Sequence, residues 1–118
     1  WHKSDNTGIV PDPTRGPRRT YETAFFASLG DRKIISPVAS SFSTPSTQEY
    51  HQAEKPLALL QHFFRMVVDE STIFLDPTAG SAMSVKAAEK CGAAFSLGIE
   101  RDREFYLRAC ENLQMEPL

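Results

Sequence analysis

The chain has 118 residues, which suffices for one small domain and not for two. Its 13 Lys and Arg residues nearly balance its 15 Asp and Glu residues, for a formal net charge of -2. This balance excludes a global basic field, so a contact with nucleic acid would have to use a local patch. No apolar run approaches the ~20 residues that span a bilayer, and no stretch has the pattern of a signal peptide.

The first 20 residues are predicted to be mostly loop, because they contain three prolines and two glycines among polar residues. The dense basic patch of the chain lies here and consists of Arg15, Arg18 and Arg19. Together with Lys3, these side chains are candidates for contacts with nucleic-acid phosphates. A solvated loop explains the same charges equally well.

Residues 20–35 are predicted to form two antiparallel strands. The alternation from Tyr21 to Ala27 is typical of a half-buried strand, and Gly30 with Asp31 marks a tight turn. The short run 33–35 would be the second strand. We expect this pair at the edge of a larger sheet.

Residues 36–54 are rich in Ser, Thr and Pro and are predicted to be a flexible loop. A helix should follow, with Pro56 in its first turn and residues 69–71 closing it. Its apolar face recurs at three- and four-residue spacing and consists of Leu57, Leu60, Phe63, Phe64, Val67 and Val68.

The rest of the chain reads as one β-loop-α-β unit followed by a helix. Strands are predicted at residues 72–75 and 94–99, with a helix at 81–91 between them and Gly92 as its C-terminal cap. The last helix should begin at Asp102. Its predicted buried stripe is Phe105, Tyr106, Ala109 and Leu113.

Two carboxylates follow the two strands of this unit. Asp76 precedes a loop of small residues, and Glu100 ends the second strand. In parallel α/β sheets such a loop and such an acid lie where nucleotide-like ligands bind, and the acid can accept hydrogen bonds from ribose hydroxyls. The alternative is an ordinary turn and a capping acid. Asp102 can serve as that cap, which would leave Glu100 free.

The loop has neither the GxGxxG nor the GxxxxGK[ST] spacing, so it suits a cofactor with a carboxylate or a ribose better than one with a pyrophosphate. An enzyme that uses a nicotinamide cofactor is therefore a minor alternative. The two cysteines, Cys91 and Cys110, lack metal or redox spacing and are expected to be free thiols in a reducing cytosol. The predicted location is the cytoplasm, for a protein encoded by a bacterium or a phage.

In this order, the motifs resemble the carboxyl-terminal half of an amino-group DNA methyltransferase of the N6-adenine and N4-cytosine kind, in which the catalytic motif precedes the cofactor motif. The matching segments cover nearly the whole chain. They are WHK at 1–3, RRTYE at 18–22, HQAEKPLALL at 51–60, DPTAGS at 76–81, and GIE at 98–100 followed by Phe105 and Tyr106.

The resemblance implies a fold, a cofactor and a reaction. The fold would be α/β, a partial Rossmann-like methyltransferase sheet with helices on its faces, in one partial domain over residues 1–118. The cofactor would be S-adenosylmethionine, and its methyl group would pass to an exocyclic amine of a base flipped out of DNA. The residues that the resemblance assigns to the cofactor pocket are Lys55, Pro56, Asp76, Thr78, Ala79, Gly80, Ser81 and Glu100.

The sequence departs from this family at two points. No tetrapeptide of the D-P-P-Y type, which grips the target amine, is present, so no catalytic residue is assigned and the chain alone is expected to be inactive. Ala82 stands where the family usually has glycine, and its methyl group would crowd the ligand if the position requires a positive φ.

Two further expectations follow. A half sheet exposes an unpaired edge and an apolar face, so the chain should be marginally stable, or associate with itself or with the missing amino-terminal half of its domain. The main alternative to an enzyme is a non-catalytic S-adenosylmethionine-binding or scaffold module that is degenerate from one. No metal is expected, nor any membrane contact.

Overall fold

The computed structural model describes residues 1–8, 10, 12, 14–50 and 53–117. His51, which belongs to one of the motifs above, lies outside the described residues. The elements in chain order are β1 (His2–Lys3), β2 (Ser43–Thr44), α1 (Leu57–Phe64), β3 (Ile73–Asp76), α2 (Met83–Lys90), β4 (Phe95–Gly98) and α3 (Arg103–Leu113).

The predicted β-loop-α-β unit is present as β3-α2-β4. The two strands are parallel, with Ile73 opposite Phe95 and Asp76 opposite Gly98. A parallel pair of consecutive strands needs a crossover, and α2 supplies it. The carboxyl ends of both strands therefore lie at the same edge, where the loop after β3 meets the residues after β4.

The ends of α2 and α3 follow from local chemistry. Gly92 has a φ of 93° and, with Ala93, donates back to the last carbonyls of α2, which is the predicted glycine cap. Asp102 is the N-cap of α3, and its carboxylate accepts hydrogen bonds from the N–H groups of Glu104 and Phe105. Both predicted caps are therefore confirmed.

Helix α1 is shorter than predicted. It ends at Phe64, and the next residues form tighter turns in which Met66 donates to Phe63 and Val67 donates to Phe64. Pro56 precedes the helix as its N-cap residue. Most side chains of the predicted apolar face are half-buried. Within α1, Leu59, which was not part of that predicted face, is the side chain that is fully buried.

The core lies between α2, α3 and the sheet. Its centre consists of Ala82, Val85 and Ala109, against which Phe74 and Leu113 pack. The predicted stripe of α3 is buried at Ala109 and half-buried elsewhere. The small size of these core residues explains how two helices and a loop approach one another so closely.

A polar network that was not predicted from the sequence joins α3 to α2 and to the loop that precedes α2. Asn112 is 2% exposed, and its Nδ2 donates to the carbonyl oxygen of Ser81 at 2.6 Å. The Nζ of Lys86 donates to Oδ1 of the same asparagine at 2.7 Å. Both polar atoms of the buried amide therefore have a hydrogen-bond partner, which lowers the cost of burying it.

The predicted antiparallel pair at residues 20–35 is wrong. Tyr21 forms one isolated antiparallel bridge with His2, Glu22 donates to the carbonyl oxygen of Trp1, and no strand is formed from 23 to 35. A two-stranded hairpin is marginal without a third strand or a packed face. The backbone at 20–22 pairs with the start of the chain instead. The later large apolar side chains are exposed, and Phe25 and Leu29 are fully so.

Residues 36–50 contain more structure than a loop. Strand β2 pairs in parallel with β1, with His2 opposite Ser43. The ring of Phe42 lies 4.7 Å from that of His62, whose Nε2 is 2.8 Å from the carbonyl oxygen of Ala39. These contacts tie the segment to α1. The flexibility of residues 36–54 stays a prediction.

One face of the β3-β4 sheet is apolar and exposed, as predicted for a partial sheet. Its side chains keep between 46% and 77% of their surface in contact with solvent. They are Ile73, Leu75, Phe95, Leu97 and Ile99. Exposed apolar patches of this kind are rare on isolated domains and mark contact surfaces.

Two other features concern the described residues only. None of their helices is long and apolar enough to cross a membrane. Both cysteines are unpaired thiols, with Cys110 buried and Cys91 half-buried. Burial raises the pKa of the Cys91 thiol, which the charge of Arg65 partly offsets.

A hydrogen-bond cluster fixes the turn between α1 and β3. The Oδ1 of Asp69 accepts from the N–H and the hydroxyl of Ser71, and from the guanidinium of Arg32 at 2.9 Å. The same guanidinium donates to the carbonyl oxygen of Val67 at 2.7 Å. The hydrogen bonds from Ser71, followed by those from Arg32 and Thr72, lower the pKa of Asp69 to about 2.

We expect this cluster to give the fold a pH dependence. Because the pKa of Asp69 is lower in the folded chain than its ordinary value of 3.8, its contribution to stability is complete above that value and is lost as the pH falls through about 2. Replacing Ser71 by alanine removes the hydroxyl donor and should raise the pKa toward 3.8. NMR titration of the Asp69 carboxyl carbon measures both values, with Ser41→Ala as control; a wild-type midpoint near the ordinary value would contradict the prediction.

Candidate functional site

A cleft of about 770 Å³ lies at the carboxyl edge of the β3-β4 sheet. The loop after β3, the residues after β4, the start of α3 and the segment before α1 form its walls. It brings together seven of the eight residues predicted for a cofactor pocket: Lys55, Asp76, Thr78, Ala79, Gly80, Ser81 and Glu100. The eighth, Pro56, is buried at the N-cap of α1 and is outside the lining.

Asp76 shapes the loop that follows β3. Its Oδ1 accepts from the N–H of Thr78 at 2.9 Å, and its Oδ2 accepts from the hydroxyl of Ser84 in α2. The carboxylate thus holds the loop and the first turn of the helix together. It is oriented by two donors before any ligand arrives.

Glu100 is not free, contrary to the sequence expectation. Its Oε2 accepts from the N–H of Gly80 at 2.8 Å, and its Oε1 accepts from the N–H of Asp102 at 2.8 Å. Asp102 caps α3 as predicted, but it does not release Glu100 from structural contacts. A carboxylate oxygen has two acceptor sites, so each oxygen of Glu100 retains one for a ligand hydroxyl.

The loop lies directly against the end of β4. Ala79 donates to the carbonyl oxygen of Ile99 at 2.8 Å. A Cβ at Gly98 would lie 2.8 Å from the Cβ of Ala79 and 2.9 Å from Cγ2 of Val85, closer than such atoms approach in folded proteins. The glycine therefore permits the contact between strand, loop and α2 that closes the floor of the cleft.

Ala82 adopts the conformation that glycine would have favoured. Its φ is 57°, in the left-handed region. The expected crowding of the ligand does not follow from its position, because Ala82 is 2% exposed, packs in the core with Val85, and is not among the residues that line the cleft. The methyl group contributes to the core at the cost of backbone strain.

Lys55 is held at the cleft by a cluster of charges. Its Nζ lies 3.0 Å from Oε2 of Glu22 and donates to the carbonyl oxygen of Ala53 at 3.1 Å. Lys3 binds the other oxygen of Glu22 at 2.7 Å, and the ring of Trp1 lies beside both lysines. Burial favours a raised pKa for Glu22, but the hydrogen bonds and charges of the two lysines outweigh it and lower the pKa.

None of the basic residues proposed for DNA contact lines the cleft. Lys3 forms an ion pair with Glu22, and Arg15 lies 3.3 Å from Asp12. Arg18 donates a hydrogen bond to the carbonyl oxygen of Gly8 at 3.0 Å. Arg19 is exposed. Their role in DNA binding stays a prediction.

The cleft also contains residues that sequence reasoning missed. Arg101 and Arg103 flank the N-cap of α3 and supply cations, while Glu54 and Asp102 supply two carboxylates besides Asp76 and Glu100. Arg101 and Arg103 follow Glu100 closely in the sequence, and this position could have indicated that they line the same cleft. Nothing in the sequence indicated that Glu54 is buried. Among the described residues, no group of His, Cys, Asp and Glu side chains is arranged to hold a metal ion.

A parallel β-α-β unit whose first loop and second-strand acid face one cleft defines an α/β protein with a nucleotide-type binding edge. A family model described as DNA methylase, of the N6/N4 methyltransferase type, matches residues 1–111. The chain belongs to this family.

Relatives of known identity agree with this assignment. The chain is 36% identical over 73 residues to the type II methyltransferase M.HindIII of Haemophilus influenzae, and the match covers 62% of this chain and 23% of the relative. It is also similar to two solved structures, each 21% identical to it. The crystal structure of M1.HpyAVI gives a TM-score of 0.54, covering 70% of this chain and 42% of that one.

The M1.HpyAVI-SAM complex is the second of these structures. It gives a TM-score of 0.67 and covers 98% of this chain and 60% of that one. At this sequence identity the likeness shows that the folds agree. The chain spans less than two thirds of each of these relatives.

The close packing at Gly98 yields a prediction for the floor of the cleft. Gly98→Ala should destabilise the fold by about 1–3 kcal/mol, because the new methyl group overlaps the buried Val85 and the loop at Ala79. Urea unfolding measures the change. Gly16→Ala is the matched control, since a Cβ there meets no atom within 4 Å. Equal stability of both variants would show that the loop does not rest on β4.

Proposed function

We propose that this chain binds S-adenosylmethionine in the cleft and serves a DNA methyltransferase that methylates an exocyclic amine, N6 of adenine or N4 of cytosine. The observation that carries the proposal is the hydrogen bond between Glu100 and the N–H of Gly80. It joins the small-residue loop and the second-strand acid into one site. Family membership and the fold of the M1.HpyAVI-SAM complex support the same cofactor.

Each part of the cleft has a role in this proposal. The remaining acceptor sites of Glu100 take the ribose hydroxyls. The loop from Asp76 to Ser81 lies along the methionine end, where its small side chains let the ligand approach the backbone. Lys55 borders the same end, positioned by its ion pair with Glu22.

Methyl transfer of this kind depends mainly on positioning. S-adenosylmethionine held by the cleft residues would supply a methyl group for direct displacement by the amine of the flipped base, with S-adenosylhomocysteine as the leaving group and the amine proton passing to water. The cleft residues orient the methyl donor and require no covalent nucleophile. The groups that grip the target amine are not assigned to this chain, which lacks a D-P-P-Y type tetrapeptide.

Replacing Glu100 tests the cofactor site. The wild-type chain should bind S-adenosylmethionine with a micromolar Kd. Glu100→Ala should weaken binding by at least about tenfold, because the ribose hydroxyls lose the two carboxylate oxygens that accept their hydrogen bonds and Gly80 loses the acceptor that holds the loop. Calorimetric titration with S-adenosylmethionine and S-adenosylhomocysteine measures both.

Glu104→Ala is the control, because Glu104 is an exposed acid in the first turn of α3 and does not line the cleft. If the folded wild-type chain binds neither compound, the cofactor proposal fails and a scaffold module becomes the better reading. If it binds and Glu100→Ala binds equally well, the site lies elsewhere.

We also propose that the exposed face of the β3-β4 sheet contacts another copy of the chain or the remaining half of a methyltransferase domain. An apolar surface this exposed lowers stability until it is covered. The chain should therefore self-associate at micromolar concentration, and replacing Leu75 and Leu97 by serine should shift it toward monomer. Analytical ultracentrifugation measures the shift.

Leu29→Ser is the matched control for this surface, because Leu29 is 100% exposed and lies outside the sheet. A wild-type chain that stays monomeric and unfolds in one steep transition at high temperature would contradict the prediction.

A further inference from the structure

Glu54 is the one charged side chain among the described residues that is buried, with 6% of its surface exposed. It lies just before α1 and belongs to the lining of the cleft. It belongs to the motif at 51–60, but none of the cofactor contacts assigned or proposed above includes it. A buried carboxylate in a binding cleft needs an explanation, because charged side chains are rarely buried unless they are paired.

The contacts of Glu54 with the described residues do not supply that pairing. Its Oε2 accepts from the N–H of Tyr50 at 3.0 Å. No ion pair reaches Glu54 within the described parts of the chain. The neighbouring Lys55 is engaged by Glu22 and by the carbonyl oxygen of Ala53.

The other cations of the cleft are on the exposed side. Arg101 and Arg103 line it, but both are exposed to water, whereas Glu54 is not. Removing a carboxylate from water is costly unless a cation and further hydrogen bonds replace its hydration. A ligand that carries a positive charge would provide that compensation, and would itself be bound more tightly in a site of low dielectric constant.

S-adenosylmethionine carries two such charges, the sulfonium and the α-ammonium. We propose that Glu54 is the carboxylate that pairs with a cationic centre of the bound cofactor. This inference rests on the proposed function and deepens it, because it assigns to Glu54 the recognition of charge and leaves recognition of the nucleoside to Glu100. The pair is an electrostatic contact, and no bond is made or broken at Glu54.

Glu54→Gln is the decisive variant. The amide oxygen of glutamine can still accept from the N–H of Tyr50, so the local hydrogen bond is kept while the charge is removed. We expect the variant to bind S-adenosylmethionine about 10- to 100-fold more weakly, the loss typical of a charged hydrogen bond. Its affinity for adenosine, which carries neither cation, should equal that of the wild type.

S-adenosylhomocysteine identifies the charge that is recognised, because it keeps the ammonium and lacks the sulfonium. An equal loss of affinity for both compounds assigns Glu54 to the ammonium, and a loss for S-adenosylmethionine alone assigns it to the sulfonium. Glu49→Gln is the matched control, since Glu49 is an exposed acid of the same segment that does not line the cleft.

Two results would overturn the inference while leaving the proposed function in place. One is a Glu54→Gln chain that binds S-adenosylmethionine as tightly as the wild type. The other is a parallel loss of adenosine binding, which would show that Glu54 supports the cleft only as a structural group. Failure of the wild-type chain to bind S-adenosylmethionine would instead reject the proposed function, and the inference with it. Calorimetric titration of the three chains decides among these outcomes.

Discussion

The cleft depends on one carboxylate. Glu100 accepts from Gly80 in the loop after β3 and from Asp102 at the start of α3, both at 2.8 Å. One side chain therefore fixes the spacing between the first strand's loop, the second strand's end and the last helix. Hydrogen bonds from backbone N–H groups to a charged acceptor are among the stronger ones in proteins, which suits a group that orders three elements at once.

Small residues make that arrangement possible. Gly98 leaves room for Ala79 and Val85 to meet above the strand, and Ala82 accepts a left-handed backbone so that its methyl group can join the core. The buried amide of Asn112 then binds the carbonyl oxygen of Ser81 from α3. These contacts fix the loop against the sheet and the helices on the side away from the cleft. The side of the loop that faces the cleft is therefore ordered without a ligand.

Prediction from sequence succeeded where the determinants are local. The β3-α2-β4 unit, the glycine cap at Gly92 and the N-cap at Asp102 each follow from a few neighbouring residues, and all three are present. Residues 20–35 have the alternation of a strand, yet whether they form one depends on a distant partner, and the β-bridge shown for them joins Tyr21 to His2. The burial of Glu54 likewise depends on tertiary packing, which no local pattern encodes.

Three of the four carboxylates that line the cleft, Asp76, Glu100 and Glu54, differ in their surroundings, and the difference corresponds to different parts of a cofactor. Both oxygens of Asp76 and both of Glu100 accept from neutral donors of the loop and helices, so the acceptor sites that remain suit neutral hydroxyl and amine donors. Glu54 is more deeply buried and has no cation from the described chain beside it. A ligand with a neutral ribose and a cationic methionine end presents the matching pattern, and this complementarity of charge favours a sulfonium cofactor.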